Sequence, residues 1–225
     1  MRPTDLPPTS FRGVLERIHR HHLVGVDGTH ELWLVRHADA YTQLEGPDFP
    51  LDPPLSRRGQ QEAAQLAERL RHARFGAAYS SPLRRALETG QQVLANHPQL
   101  RLQVDDRLGE VRTHWEEGDG LARIRRGRYP FAEPEGEVVA RAELALAAIA
   151  ARLGAGERAL IFTHSGWIAI YIAHLLGLSF TRFHWLPRFT SVSVVVTDQE
   201  RYVVRSMGDS THLEPAEFSA PEPNS

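Results

Sequence analysis

The segment LVRHADA sets Arg36 and His37 directly after an apolar run, and LIFTHSGW repeats the arrangement with His164. Between them, SPLRRALETG supplies Arg84 and Arg85, and RLGEVR supplies Glu110. Brought together, these cations, imidazoles and single carboxylate have the chemistry of phosphoryl transfer through a covalent histidine intermediate. A phosphoryl group in a loose transition state spreads charge over three equatorial oxygens and needs fixed donors around it. Arginine offers planar forks for those oxygens. A neutral imidazole nitrogen can attack phosphorus when the other ring nitrogen is held by a hydrogen bond, often to a backbone carbonyl. A nearby protonated carboxylic acid can protonate the leaving alkoxide and then activate water. The bound dianion would help to keep that acid protonated. Because Arg and His carry the compensating charge, this chemistry requires neither a metal nor a cofactor.

Taken singly, each signal has a plain structural explanation. Arg36–His37 could be a surface pair, SPLRRA a capped helix with a solvated basic turn, and THSGW a turn around a core histidine. Glu110 could be an ordinary loop carboxylate. Their order, spacing and shared place at the ends of elements favour one site.

The elements that would position these residues can be read from periodicity. Leu32–Val35 is a continuous apolar run, as in a strand covered on both faces. Ser56 has the character of an N-cap for a helix with Ala63, Leu66, Ala67 and Leu70 on one face. GAAYSS is a short strand; Ser81 as N-cap and Pro82 at the first helical position open a second helix, with Leu83, Ala86, Leu87, Val93 and Leu94 inward. LRLQVD is a further strand. It is followed by a long polar segment, residues 107–136, of the kind that borders a site. A third helix turns Val138, Ala142, Ala145, Leu146, Ile149 and Leu153 inward. The apolar strand Ala159–Phe162 then leads to His164 and a helix carrying WIAIYIAHLLGL. SVSVVVT and YVVRS close the sheet as a pair of strands joined through Asp198–Glu200. Strands alternating with helices imply an α/β fold with a largely parallel sheet covered on both faces. Ligands of such sheets collect at the C-terminal ends of the strands.

The outer segments are simpler. Residues 1–29 form an N-terminal extension: a loose start, then a short amphipathic helix in which Phe11, Val14, Leu15 and Ile18 have helical spacing. HRHH, residues 19–22, is read as a solvated basic helix end rather than a metal cluster. Residues 30–213 make the main domain, and residues 214–225 have the composition of a disordered tail.

The 225 residues suffice for one α/β domain, and the net charge of -2 provides no global basic field for nucleic acid. There is no cysteine, which excludes disulfides, thiolate metal sites and a cysteine nucleophile. No apolar run reaches the length of a membrane span, and MRPTDLPPTS lacks a signal-peptide core, so the expected location is cytoplasmic, without a membrane partner.

With these motifs in place, the sequence resembles the histidine phosphatase superfamily, the phosphoglycerate mutase-like branch with the Arg-His-Gly signature, over about residues 31–213. LVRHADA is similar to the nucleophile motif, which implies His37 as the phosphorylated residue and Arg36 as a phosphate ligand. YSSPLRRALETG resembles the Ser-Pro-Leu-x-Arg-Ala motif, which implies Arg85 as a second ligand and leaves Arg84 at a variable position. RLGE resembles the segment of the general acid/base, implying Glu110, and LIFTHSGWI the second histidine motif, implying His164. Ala38 and Ser165 stand where glycines are common, with the Ser165 N–H still available to phosphate. Gln43 stands where related mutases carry a phosphate-contacting asparagine. The implied fold is a three-layer α/β/α sandwich with a mostly parallel, mixed sheet.

The resemblance implies a metal-independent phosphatase acting on a small phosphorylated metabolite. Related mutases carry a long insertion between the acid and the second histidine. Here RIRRGRYPFAEPEGE is short, which favours water entry and hydrolysis over mutase-type transfer. A non-catalytic phospho-ligand module would not need Glu110. Arg123, Arg125, Arg126 and Arg128 could meet a second anionic group or form a solvated basic loop; His114, Trp115 and Tyr129 could line the pocket or pack. Glu116 and Glu117 are rivals to Glu110 for the acid. The N-terminal helix offers a surface through which a homodimer could form.

Overall fold

The computed structural model describes residues 10–40, 52–112 and 132–213. Six strands form one sheet: β1 (His30–Arg36), β2 (Ala77–Ser80), β3 (Leu102–Val104), β4 (Arg158–Thr163), β5 (Val192–Thr197) and β6 (Tyr202–Asp209), in spatial order β3-β2-β4-β1-β5-β6. β1 to β4 run parallel, whereas β5 pairs antiparallel with both β1 and β6. The closing pair is joined as the sequence suggests, the Asp198 carboxylate accepting from the Glu200 and Arg201 N–H groups.

Alternation along the strands separates two cores. Leu32, Leu34, Tyr79, Ile161 and Val195 face α4 (Glu135–Ala150) and α5 (Ser165–Leu175). Val35, Ala78, Leu160, Phe162 and Val194 face α2 (Arg57–Leu70) and share their core with Ala86 and Val93 of α3 (Arg84–Leu94). The result is the expected three-layer α/β/α sandwich, its mixed sheet mostly parallel. The four inward residues read for α2 are buried, as are the inward set read for α4 and Leu153 beyond it. Ser56 caps α2, its Oγ accepting from the Gly59 N–H.

Two elements depart from the sequence reading. α3 begins at Arg84, with Leu83 extended before it, so neither Ser81 nor Pro82 opens the helix. Ser81 Oγ is instead drawn into the site described below. α1 (Phe11–His21) forms where its spacing predicts, capped by Ser10, but its apolar residues point outward: Phe11 is 80% exposed and Ile18 47%. His19, His21 and His22 end this helix in solvent. Among the described residues, no helix is long and apolar enough to cross a membrane.

Candidate active site

The site begins with the pairing of β1 and β4. Arg36 stands opposite Thr163 in the parallel register, and the His37 N–H continues the ladder by donating to the Thr163 carbonyl at 2.9 Å. Both strands therefore release a histidine at the same sheet edge, and the His37 and His164 rings lie 5.1 Å apart between centroids.

Hydrogen-bond direction fixes the state of His37. Its Nδ1 lies 2.7 Å from the Ala38 carbonyl, which can only accept, so Nδ1 carries the proton. Arg85 Nε, which can only donate, lies 3.2 Å from Nε2, so Nε2 presents a lone pair. The ring is thus neutral, with its basic nitrogen turned toward an arginine. Burial, followed by the charges of Arg36 and Arg85, holds its pKa well below the ordinary imidazole value.

The cations are held by separate elements. Arg36 is buried at the end of β1, which lowers its pKa to about 10 against the opposing pull of Glu110, Glu62 and Asp39. It remains a cation at neutral pH. Its Nη1 donates to the Pro187 carbonyl at 2.9 Å, and its buried Nε has no hydrogen-bond partner among the described residues. Arg85 reaches inward from the first turn of α3, its Nη1 3.7 Å from Asp52. Arg84 points outward and pairs with Glu88 at 2.6 Å. The sequence placed both arginines beside an anion-binding helix end; the structure brings only Arg85 to the histidines. The anion that meets this helix end is the chain's own Asp52, whose carboxylate accepts from the Arg84 N–H.

His164 is fully buried just ahead of α5, and Ser165 is the first helical residue, where a backbone N–H has no partner within its own helix. Ser81 Oγ lies 2.7 Å from His164 Nε2, while His164 Nδ1 has no partner among the described residues. Burial and the neighbouring cationic groups hold this imidazole also well below its usual range.

Glu110 follows the turn after β3. Its Oε1 accepts from the Val111 N–H at 2.9 Å and from the Trp167 N–H at 3.3 Å, so the carboxyl sits against the first turn of α5. Burial raises its pKa, outweighing those donors and the pull of Arg85 and Arg36. This turn is fixed from several sides. Thr163 Oγ1 donates to the Leu108 carbonyl at 2.7 Å, and Trp167 Nε1 donates to the Arg107 carbonyl at 2.9 Å. Arg141 Nη1, from α4, donates to the Arg107 and Gly109 carbonyls at 2.7 and 2.8 Å.

Five expected residues therefore meet at one edge of the sheet: Arg36, His37, Arg85, Glu110 and His164, with Ser165 adjoining. Gln43 lies outside the described residues, as do His114, Trp115, Glu116, Glu117, Arg123, Arg125, Arg126, Arg128 and Tyr129. Sequence reasoning missed the residues that hold the cluster. Thr89 Oγ1 accepts from the Ala38 N–H at 3.0 Å and donates to the Arg85 carbonyl at 2.7 Å, tying nucleophile to cation. The buried Glu62 accepts from the Asp39 N–H at 2.8 Å. Among the described residues, no group of three or more His, Cys, Asp or Glu side chains is arranged to hold a metal ion.

The chain is similar to several known proteins. A probable phosphoglycerate mutase, GpmB, from Salmonella arizonae is 27% identical over 209 residues, covering 82% of this chain and 95% of the relative. The structure of YhfR from Bacillus stearothermophilus superposes with a TM-score of 0.67 at 26% identity, over 82% of this chain and 100% of that one. A phosphoserine phosphatase from Entamoeba histolytica shares the fold with a TM-score of 0.68 at 21% identity, over 82% and 100% of the two chains. The family profile of the histidine phosphatase superfamily (branch 1) matches residues 32–210, nearly the whole sheet with the helices that carry the site. This chain belongs to the histidine phosphatase superfamily.

Proposed function

We propose that the chain hydrolyses small-molecule phosphomonoesters through a phosphohistidine formed on His37 Nε2. The observation that carries this reading is the pair of opposed hydrogen bonds on His37, Nδ1–H to the Ala38 carbonyl and Arg85 Nε to Nε2. They leave a neutral nucleophile whose lone pair already faces a cation. In the first step Nε2 bonds to phosphorus, the ester P–O bond breaks, and the leaving alkoxide takes its proton from Glu110. Arg36, Arg85 and His164 hold the equatorial oxygens, with the Ser165 N–H beside them. If the Ser81 hydroxyl donates to His164 Nε2, Nδ1 carries the hydrogen that a phosphate oxygen accepts. In the second step Glu110 takes a proton from water, which attacks phosphorus and frees Nε2.

Mutase-type transfer is the runner-up, since named relatives include a probable phosphoglycerate mutase as well as phosphatases. Hydrolysis is preferred because RIRRGRYPFAEPEGE, between Glu110 and His164, is short beside the long insertion of related mutases, which favours water entry. The test is phosphate release from a chromogenic aryl phosphate, with and without bisphosphoglycerate. Hydrolysis should proceed without the cofactor and be unchanged by EDTA. Turnover of phosphoglycerate that depends on bisphosphoglycerate would favour the mutase. Loss of activity in EDTA with recovery on adding a divalent metal would refute the metal-free mechanism.

A further inference from the structure

One aromatic ring beside the nucleophile is not explained by the phosphate cage alone. The Phe189 ring centroid lies 3.8 Å from Arg36 Cζ and 5.7 Å from the centre of the His37 ring. Phe189 thus covers one face of the guanidinium, while Pro187 of the same segment takes Nη1. Among the described residues the buried Nε has no hydrogen-bond partner, which leaves that edge open to an anion.

The segment that carries Phe189 is fastened to the end of β1. The Arg36 N–H donates to the Ser191 carbonyl at 3.2 Å, and the Thr190 N–H donates to the Arg36 carbonyl at 3.1 Å. Thr190 has φ 53°, a left-handed conformation that a β-branched residue strongly avoids. Such strain persists only where the surroundings over-determine it. Here they do so through a directed chain. Arg69 Nη1 can only donate, and it lies 3.0 Å from His212 Nδ1, so His212 carries its hydrogen on Nε2. That Nε2–H donates to Thr190 Oγ1 at 2.9 Å, and the Thr190 hydroxyl donates to the Phe189 carbonyl at 2.8 Å. Arg69 is anchored in turn by the Asp209 carboxylate. Every donor in this chain points toward Phe189.

We infer that Phe189 is a positioning residue for Arg36: its ring sets the plane of the guanidinium at the phosphoryl group, and the Arg69–His212–Thr190 chain sets the ring. The inference rests on the proposed role of Arg36 as a phosphate ligand. A cation stacked on an aromatic face keeps its edges free for oxygen atoms, whereas an unstacked guanidinium can tilt out of the plane that matches them.

The test uses the full chain and reads binding of inorganic phosphate by calorimetry alongside kcat and KM for an aryl phosphate. Phe189→Leu keeps apolar bulk and loses the π face; Phe189→Tyr keeps both. The expected result is that Phe189→Leu weakens phosphate binding about tenfold and lowers kcat/KM at least as much, while Phe189→Tyr stays within about threefold of wild type. His212→Phe should move both readouts in the same direction, less far. Combined with Phe189→Leu, it should add little, because the two act through one unit. Wild-type phosphate affinity in Phe189→Leu would overturn the inference, as would equal losses in the Leu and Tyr variants. Failure of the wild-type chain to bind phosphate would instead overturn the reading of the cage itself.

Discussion

His37 is almost fully enclosed, so His37→Ala trades a ring for a small cavity without stranding a charge, because the ring is neutral. The variant should fold, fail to turn over, and take no label from a phosphoryl donor; substantial turnover in the folded variant would remove His37 from its role. Glu110 makes a different prediction. A general acid matters most for a poor leaving group, so Glu110→Gln should slow hydrolysis of alkyl phosphates far more than phosphorylation of His37 by an activated aryl phosphate. Because burial raises its pKa, the alkyl rate should fall as pH rises through that raised value and the acid loses its proton. Glu110→Gln should abolish this alkaline limb, and equal pH profiles in both proteins would count against the assignment. These residues were legible in the sequence because the chemistry demands unusual types at strand ends. Thr89, Ser81 and Asp52 were not legible. Thr89 meets Ala38 across 51 positions, and nothing near either residue announces the contact. Ser81 carried a misleading local signal: Ser-Pro ordinarily opens a helix, but here the hydroxyl is engaged by His164 and the helix starts later.

At the scale of elements, periodicity located α2 and α4 because each buries one apolar stripe, and unbroken apolar runs located β1 and β4 because both of their faces are covered. It also located α1, yet could not say which way that helix faces, since spacing defines a stripe and not what covers it. The contacts that aim the site run between elements, and two can be tested. Gly59, in the first turn of α2, lies so close to the loop after β1 that an added Cβ would fall 1.8 Å from the Asp39 carbonyl oxygen. Gly59→Ala must displace that loop, and with it the Ala38 carbonyl that orients His37. The expected outcome is at least a tenfold loss of kcat in protein that still melts cooperatively; unchanged kcat would show that the loop yields without moving the nucleophile. Arg141 is the second case. It pairs with the buried Glu133 while clasping the carbonyls of the turn that leads to Glu110. Arg141→Leu leaves Glu133 with the weaker Arg112 N–H contact and frees the turn, which should cost stability, though less than the roughly 3–5 kcal/mol of a fully buried pair. Glu133→Gln, which leaves no buried charge without a partner on the carboxylate side, should cost less. Denaturant melts of the two variants check the order.

Over the whole molecule, the perturbed groups set how stability responds to pH and to phosphate. His37, His97 and His164 have lowered pKa values, and His212 is lowered to about 4, in each case mainly by burial. Below pH 6.5 the unfolded chain binds protons that the folded chain refuses, so their contribution falls as pH drops from 6.5 toward the folded values. The raised carboxyls Glu62 and Glu110 act in the opposite sense, gaining stability as pH falls through their folded values toward 4.5. Among the described residues, four such histidines against two such carboxyls predict a melting temperature that declines between pH 6.5 and 5. A ligand that binds only the folded state opposes this decline. Phosphate at a hundredfold excess over its Kd should add about 2.7 kcal/mol. For a chain of this size that corresponds to a rise of roughly 5–10 °C in Tm. The rise separates two arginines that adjoin in sequence. Arg85 faces His37 from α3, whereas Arg84 lies outside, paired with Glu88. Arg85→Ala should lose most of the phosphate-induced rise and Arg84→Ala should keep it, each measured against its own phosphate-free Tm so that any stability change cancels. Equal losses in the two variants would mean that phosphate is held by the general charge of this helix end and not by a cage built around His37.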